Sequence, residues 1–564
     1  MTAALGEPLA MGVAVVVGVA LVAQVVTFGW PALRVRRAAK GSTRRVAPPV
    51  PARPQEASPA PKVAAPTPTA TPGPQAGRRH LGERVAGRAR SIRAPRVTRP
   101  SRRAGFVAAV VVGAGLRLLW VIWATRTPNE LRDPAEYLRI AIGLTEGISP
   151  RFGGGGGPSA YWPPGYPALL APFVWVARET GWASAAFVAS LVNVVAGTIT
   201  IVLSGFLAAR WIGPHARNFA AWLVALCPAL VYWTSTAHSE TAFTPFLLGI
   251  LALATVGARD GWHRRWLLVG LLAGAAFLVR SPGLIGLAAP ALAIRAQTGT
   301  WRGSARATGL VALAIVVVLA PWTIRNGVQV GVWSPASTNN AGAACFGNHD
   351  DAPPLWEPDK LTPRIQADCY GGSPFDDRRF LPMLERLGAA PPPGVELTEP
   401  DEAHWYRRAT GKAVRWATTH PVQAARLYSD KLWETWSSEG RVVDGARNYS
   451  EPGWAGRWHG PLGDLANLWG WVVGALAVLS LALVPACRRA LPIWVPIVLY
   501  TLAILVGVID PHYRYPVVPL IAVLAAGLLT RDRHRDLPMW CAVISRRKRP
   551  PNRLPLGSRF RSKR

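Results

Sequence analysis

The sequence predicts an all-α polytopic membrane protein with about 11 transmembrane helices. Further helices are expected at the outer membrane face, together with a mostly helical extracytoplasmic loop. Three observations carry that expectation. Of the 564 residues, 50% are hydrophobic and 17% are charged, against roughly 25% charged in an average soluble protein. The 25 Trp belong to a residue type enriched where bilayer meets water. The net charge of +32 is concentrated at the ends: residues 34–103 hold 18 Lys and Arg against 2 Glu, and residues 531–564 hold 12 against 2 Asp. Basic segments flanking spans are what the positive-inside rule predicts, and they suit anionic lipid headgroups. Neither tail interleaves aromatic residues with its charges in the manner of a single-strand binder, so nucleic acid is not an expected partner.

Taken in order, residues 1–33 form an N-terminal membrane anchor. Its apolar stretch, residues 10–32, is long enough to span, and no positive charge precedes it, unlike a secretory signal. Its N-terminus is therefore expected outside. Residues 34–103 are rich in Pro, Ala and Arg without apolar periodicity, and read as a disordered cytoplasmic linker. The transmembrane core occupies 104–324, with spans expected at 104–125, 183–208, 217–235, 240–258, 265–281, 282–297 and 306–324. The pair split by Arg280-Ser281-Pro282 reads as a broken or tilted passage. Residues 126–182 are its first outer loop. There Tyr137, Ile140, Ala141 and Leu144 recur at helical spacing, as in a helix lying on or dipping into the membrane face. Residues 325–463 form an extracytoplasmic loop domain, too long for a connector. It holds two helical patterns, "DEAHWYRRATGKAVRWATTHP" and "QAARLYSDKLWETW". Residues 464–530 carry the last spans, at 464–485, 490–508 and 514–530, and 531–564 form a basic cytoplasmic tail.

Sidedness follows from the basic short connections. With the N-terminus outside, Arg210 and Arg217, Arg264 and Arg265, Arg295, Arg302 and Arg306, and Arg488 and Arg489 all fall inside. This requires that 134–178 not complete a crossing. The expected location is the cell (plasma) membrane, with the C-terminus cytoplasmic. Of five Cys, Cys345 and Cys369 share the outer loop, where a disulfide is permitted. No Cys or His spacing marks a metal site, and no HExxH, GxSxG or P-loop occurs.

Five polar sets sit at expected outer ends of spans: Asp133 with Glu136, His238-Ser239-Glu240, Arg280, Arg325 with Asn326, and "DPHYRYP" at 510–516. Ionisable groups at membrane depth point to function, although a single Arg at a span end can simply snorkel to headgroups. A carboxylate and several arginines supplied by different spans suit one task. The carboxylate removes an acceptor proton, and the arginines hold a departing phosphate.

The segments "DPAEYLRIAIGLTEG", "YWPPGYPALLAP", "HSETAF", "LVRSPGL", "PWTIRNGVQVGVWSPASTNNAG" with "GN" at 347–348, and "YRYPVVPLIAVLAA" form an ordered set. Across roughly 104–530 this set resembles the C-fold (GT-C) glycosyltransferases. That family 39-like group includes bacterial protein O-mannosyltransferases and aminoarabinose transferases. The resemblance implies a polyprenyl-phosphate sugar donor, an active site on the outer face and an extracytoplasmic acceptor: an envelope glycan, a lipid or a protein. The first-loop aspartate maps onto Asp133 as general base. Where many relatives carry two adjacent acids, Pro134 follows here and the next acid is Glu136. Glu240 matches a span-end acid that positions the acceptor, supports Asp133 or caps a helix. Arg280, Arg325, His512 and Arg514 are candidate contacts to the donor phosphate, Arg514 equally an anchor for a helix start. Tyr137, Tyr161, His238 and Asn326 are candidate substrate contacts. Pro163 and Pro164 read as structural. No redox cofactor is implied; a divalent cation is compatible but not demanded. The alternative is a transporter or lipid-sugar flippase without transferase activity. It predicts mid-span charges and paired repeats, whereas this sequence has span-end charges and no repeat.

Overall fold

The computed structural model describes residues 102–128, 133–151, 157–260, 263–355, 368–369, 402–438 and 459–530. The anchor at 10–32, the linker and the basic tail lie outside the described residues. Arg151 and Pro158 form an isolated antiparallel bridge; the regular elements among the described residues are helices. In chain order the helices are α1 Arg102–Ala124, α2 Asp133–Thr145, α3 Gly165–Thr180, α4 Ala185–Trp211, α5 Ala216–Ala225, α6 Pro228–Tyr232, α7 Ser239–Asp260, α8 His263–Val279, α9 Ala289–Thr298, α10 Ser304–Gln329, α11 Asn339–Phe346, α12 Glu402–Thr419, α13 Pro421–Ser437, α14 His459–Leu483, α15 Pro485–Arg489, α16 Leu491–Leu505 and α17 Val518–Leu528. Three 3-10 segments, 233–235, 281–287 and 511–517, join them at breaks.

Five described helices, α1, α4, α7, α10 and α14, are long and apolar enough to cross a membrane, or six spans if the bent pair α5–α6 counts as one. About eleven were expected. One of these, the anchor, lies outside the described residues; among the described residues the difference arises at breaks and short helices. The expected span 265–281 stops at Val279, where Arg280 turns extended, and the expected 282–297 begins with a 3-10 segment and leaves only the ten-residue α9. In the same way 490–508 and 514–530 shrink to α16 and α17 around the Pro-rich 3-10 segment 511–517. Proline lacks the N–H that would continue a helix, so these are places where the ladder stops.

An apolar helix can be buried in protein or face hydrocarbon, and the five long helices divide that way. In α7, 83% of the most apolar window is buried, against 22% in α1 and in α14. The outward residues of α1 include Val107, Val111, Leu119 and Ile122; those of α14 include Leu468 and Val478. Thus α7 is a central helix, packed against α4 and α8, and α1 and α14 are peripheral. Small residues set the close approach of α1 to α4. A Cβ on Gly205 would come within 2.5 Å of Phe106, and one on Gly113 would overlap Ile201.

A bend of 55° separates α5 from α6 at Cys227-Pro228. Without an N–H on Pro228 the Val224 carbonyl loses its helical donor. The buried Arg117 of α1 replaces it, donating to Val224 O at 3.0 Å, Ala225 O at 3.1 Å and Gly113 O at 3.0 Å. Gly197 on α4 leaves the room: a Cβ there would lie 2.7 Å from the Arg117 Nε.

The two short helices of the first outer loop pack against each other. Tyr137, Ile140 and Ala141 are buried on α2, as the spacing predicts, and so are Pro134, Glu136 and Leu138. The start of α3 presses on the end of α8, where a Cβ on Gly165 would stand 2.5 Å from the Leu278 carbonyl carbon. Both helical patterns of the long outer loop are helices, α12 and α13. Cys345 and Cys369 form a disulfide that packs with Trp405 and Ala409 of α12.

Candidate active site

The end of α8, the start of α7, the segment 511–517 and the start of α2 bring their polar residues together. Helix α8 ends at Val279, and Arg280 is extended with φ −154° and ψ 136°. That conformation turns the guanidinium toward the N-terminus of α7, where Arg280 Nη1 donates to Glu240 Oε1 at 2.5 Å and to Ser239 Oγ at 3.0 Å. Glu240 lies in the first turn of α7, where the helix dipole favours a negative charge.

A second cation reaches the same carboxylate. Asp510 caps the segment 511–517, its carboxylate accepting from the His512 N–H at 3.3 Å, and it also pairs with His512 Nδ1. His512 Nε2 lies 3.3 Å from Glu240 Oε1. The imidazole stacks on Trp233, with centroids 4.5 Å apart at 25°, and Tyr513 meets it edge-on at 4.6 Å. Burial opposes a charge on His512, but the carboxylates of Asp510 and Glu240 outweigh it and hold the imidazole pKa up to about 9. Burial likewise opposes ionisation of Asp510, yet His512 holds its carboxyl below the usual carboxylate range. His238, just before α7, is buried, with its ring 4.8 Å from Trp233 and 5.4 Å from His512.

Asp133 is half-buried at the first position of α2. Its charge acts on Tyr137 and on Tyr513. The Arg280 guanidinium also stands 5.2 Å from the Tyr513 ring, within cation–π range. Asp133 and Arg280 thus both act on Tyr513, one as a carboxylate and one as a cation.

Of the residues singled out from the sequence, Asp133, Tyr137, His238, Glu240, Arg280 and His512 belong to this assembly. Glu136 turns instead to Arg139, one turn along α2. Arg325 donates to Ser159 O at 2.8 Å, Ser149 Oγ at 2.7 Å and Pro150 O at 3.1 Å, tying down the ends of the outer loop 149–159. Its neighbour Asn326 accepts from Arg325 and donates to Ser334 O at 3.1 Å. Tyr161 packs on Trp162 and Trp405, beside the disulfide. Arg514 donates to Thr435 O and, at 2.9 Å, to Ser438 O, and its guanidinium lies 5.4 Å from the Trp436 ring. It therefore holds the C-terminal end of α13. Ser239 and Tyr513 lie within the polar sets read from the sequence but were given no role of their own, and Trp233 was not named; the two aromatic residues join the assembly at His512 and Arg280. Their chemical types carry no signal, because an aromatic in an apolar stretch reads as core until its neighbours are known. No group of three or more His, Cys, Asp and Glu is placed to hold a metal ion among the described residues.

No protein-family model matches the chain, and no curated protein matches it. Among solved structures, it is similar to the archaeal oligosaccharyltransferase AglB from Archaeoglobus fulgidus in complex with an inhibitory peptide and a dolichol-phosphate. That match has 14% identity and a TM-score of 0.43, over 82% of this chain and 52% of that one. It is also similar to ArnT from Cupriavidus metallidurans bound to undecaprenyl phosphate, with 14% identity and a TM-score of 0.35, over 79% of this chain and 80% of that one. The apo state of ArnT gives 15% identity and a TM-score of 0.34, over 76% and 78%. The chain spans about half the length of the archaeal enzyme, 52%. Likeness at these scores and identities assigns neither an activity nor residue roles.

Proposed function

We propose that this chain is a membrane glycosyltransferase that moves a sugar from a polyprenyl-phosphate donor to an extracytoplasmic acceptor. The observation that carries the reading is the polar assembly where α7, α8 and the segment 511–517 meet: the part-exposed Arg280 pairs with Glu240 and stands over the Tyr513 ring, and the charge of the half-buried Asp133 bears on the same tyrosine. Here Glu240 pairs with Arg280, and Asp133 stands half-buried at the start of α2, where it is assigned to the acceptor.

In the reaction, the Asp133 carboxylate accepts the proton of the acceptor hydroxyl. The acceptor oxygen bonds to the anomeric carbon as that carbon's bond to the phosphate oxygen breaks. The electron pair leaves with the polyprenyl phosphate, and Arg280 offsets the charge that develops there. A single displacement of this kind inverts the anomeric centre. Asp133 then returns its proton to water. The chemistry needs no redox cofactor. Arg325 and Arg514 serve by holding the loop 149–159 and α13 around the site, their donors being directed at backbone carbonyls. The reading places the site on the outer face of the plasma membrane, with the C-terminus cytoplasmic and the basic tails against anionic lipid.

The test uses membranes carrying wild type or Asp133→Asn at matched abundance, supplied with radiolabelled polyprenyl-phosphate sugars and a cell-envelope extract as acceptor. Labelled product from wild type and a loss of at least about a hundredfold in the variant are expected for a removed general base. Equal labelling by both would remove Asp133 from that role. A protein that binds no polyprenyl phosphate and transfers no sugar would point to the transporter class instead.

A further inference from the structure

The proposed reaction uses Asp133 and the outer edge of Arg280. It leaves unexplained why a histidine is buried between two carboxylates behind that arginine. His512 is 3% exposed, its face covered by Trp233 and its edge by Tyr513. Both ring nitrogens are turned to carboxylates, Nδ1 to Asp510 and Nε2 to Glu240. A neutral imidazole can donate through one nitrogen only; serving both carboxylates takes the imidazolium. The result is a line of alternating charge running Asp510, His512, Glu240, Arg280. Its two ends reach toward solvent and its middle does not: the side chains of Asp510 and Arg280 are 21% and 17% exposed, those of His512 and Glu240 3% and 1%.

We propose that His512 is a positioning residue, a buried imidazolium that acts on the donor phosphate through Glu240 and Arg280 rather than by touching it. The inference rests on the glycosyltransferase reading and deepens it. With His512 charged, the line carries no net charge, which permits its burial. Glu240 is then shared between two cations, and the outer edge of Arg280 remains an anion site. When His512 loses its proton, the line becomes net negative. A phosphate arriving at Arg280 then meets the unopposed charge of Glu240 and Asp510, and binds more weakly.

Among the described residues, the groups that face His512 are these. From its own segment come Asp510 and the aromatic side chains of Tyr513 and Tyr515; from the start of α7, His238 and Glu240; from the end of α8, Arg280, which acts through Glu240. Asp133 acts on the neighbouring Tyr513. Burial opposes the charge, and the two carboxylates together outweigh it and raise the imidazole pKa from its ordinary 6.5 to about 9. The cation is therefore present below that pH and lost as pH rises through it.

The experiment measures binding of a polyprenyl phosphate to the purified full chain in detergent, from about pH 8 to about pH 10.5. The phosphate itself, with its second pKa near ~6, keeps a constant charge over that range. Wild-type affinity is expected to fall roughly tenfold as pH rises through the His512 transition, the effect of removing one nearby partly buried charge. His512→Gln is expected to bind weakly at every pH, without that step. Asp510→Asn removes one of the two carboxylates and leaves the ring in place, so it is expected to keep the step but move it to lower pH. If His512→Gln keeps wild-type affinity and the same step, the inference is wrong. Should that variant not fold, an Asp510→Asn curve superimposing on wild type overturns it equally. A folded wild-type protein that binds no polyprenyl phosphate at any pH would instead bring down the donor reading and this inference with it, a result distinct from binding that ignores His512.

Discussion

At the scale of single residues, buried cations in this protein divide by what they face. Arg117, Arg325, Arg514 and Lys431 donate to backbone carbonyls, whereas Arg280 and His512 face carboxylates. A cation on carbonyls repairs a break in the backbone; a cation on carboxylates builds an electrostatic site. Arg117 is the clearest repair, standing in for the donor that Pro228 lacks. Replacing it by Met keeps much of its length and removes the donors. Arg117→Met is expected to destabilise the folded protein by about 3 kcal/mol, for two carbonyls at the α5–α6 bend left without that donor. Thermal unfolding in detergent would show the midpoint fall; an unchanged midpoint would mean that the bend holds without Arg117. The His512 pair has a sign of its own. Its folded pKa of about 9 lies above the ordinary 6.5. The stability it contributes is complete below the ordinary value and lost as pH rises through about 9.

At the scale of elements, close helix packing depends on residues that have no side chain to offer. The seam between α1 and α4 passes Gly113, Gly197 and Gly205, each of which would meet a neighbour if it carried a Cβ. Gly113→Val would drive two methyl groups into Ile201 and Ala225. The expected cost is about 1–3 kcal/mol of overpacking. The same change at Gly115, which has open space around it, is expected to cost less than about 1 kcal/mol. Comparing the two thermal midpoints checks the seam, and equal losses would show that helix propensity rather than packing sets the penalty.

At the scale of the whole molecule, the helices of the long loop are tied to the apolar helices through a small number of cationic contacts. Lys431 of α13 is fully buried and donates to Gly347 O at 2.6 Å, Gly507 O at 2.7 Å and Leu505 O at 3.2 Å, thereby joining α13 to the end of α16 and the end of α11. Tyr428 adds a bond to Asn348 Oδ1 at 2.5 Å, and Arg514 fixes the far end of α13 from the same segment that carries His512. The outer-loop helix and the site thus share a support. Lys431→Met is expected to make α13 cleavable by protease in folded, detergent-solubilised protein at least about tenfold faster than wild type, as local opening becomes easier. Unchanged cleavage would show that packing alone seats the helix.

The sequence by itself determined the class of structure and the list of polar residues near the chemistry. Apolar length, low charge and terminal arginines require helices in a bilayer, because unpaired backbone groups are not tolerated in hydrocarbon. Asp133, Glu240, Arg280 and His512 were legible as polar residues at the ends of apolar stretches. Two matters were left to the tertiary structure. The first was where helices stop: Arg280 and the segment 511–517 break stretches whose hydropathy alone predicts full spans, because hydropathy adds over a window while a break is made at one residue. The second was pairing. Five span-end arginines, histidines and acids look alike in one dimension, and only their placement gives Glu240 to Arg280 and His512, Arg325 to the loop at 149–159, and Arg514 to α13. Electrostatic energy falls off with distance in space, not along the chain, so residues hundreds of positions apart decide which charges meet.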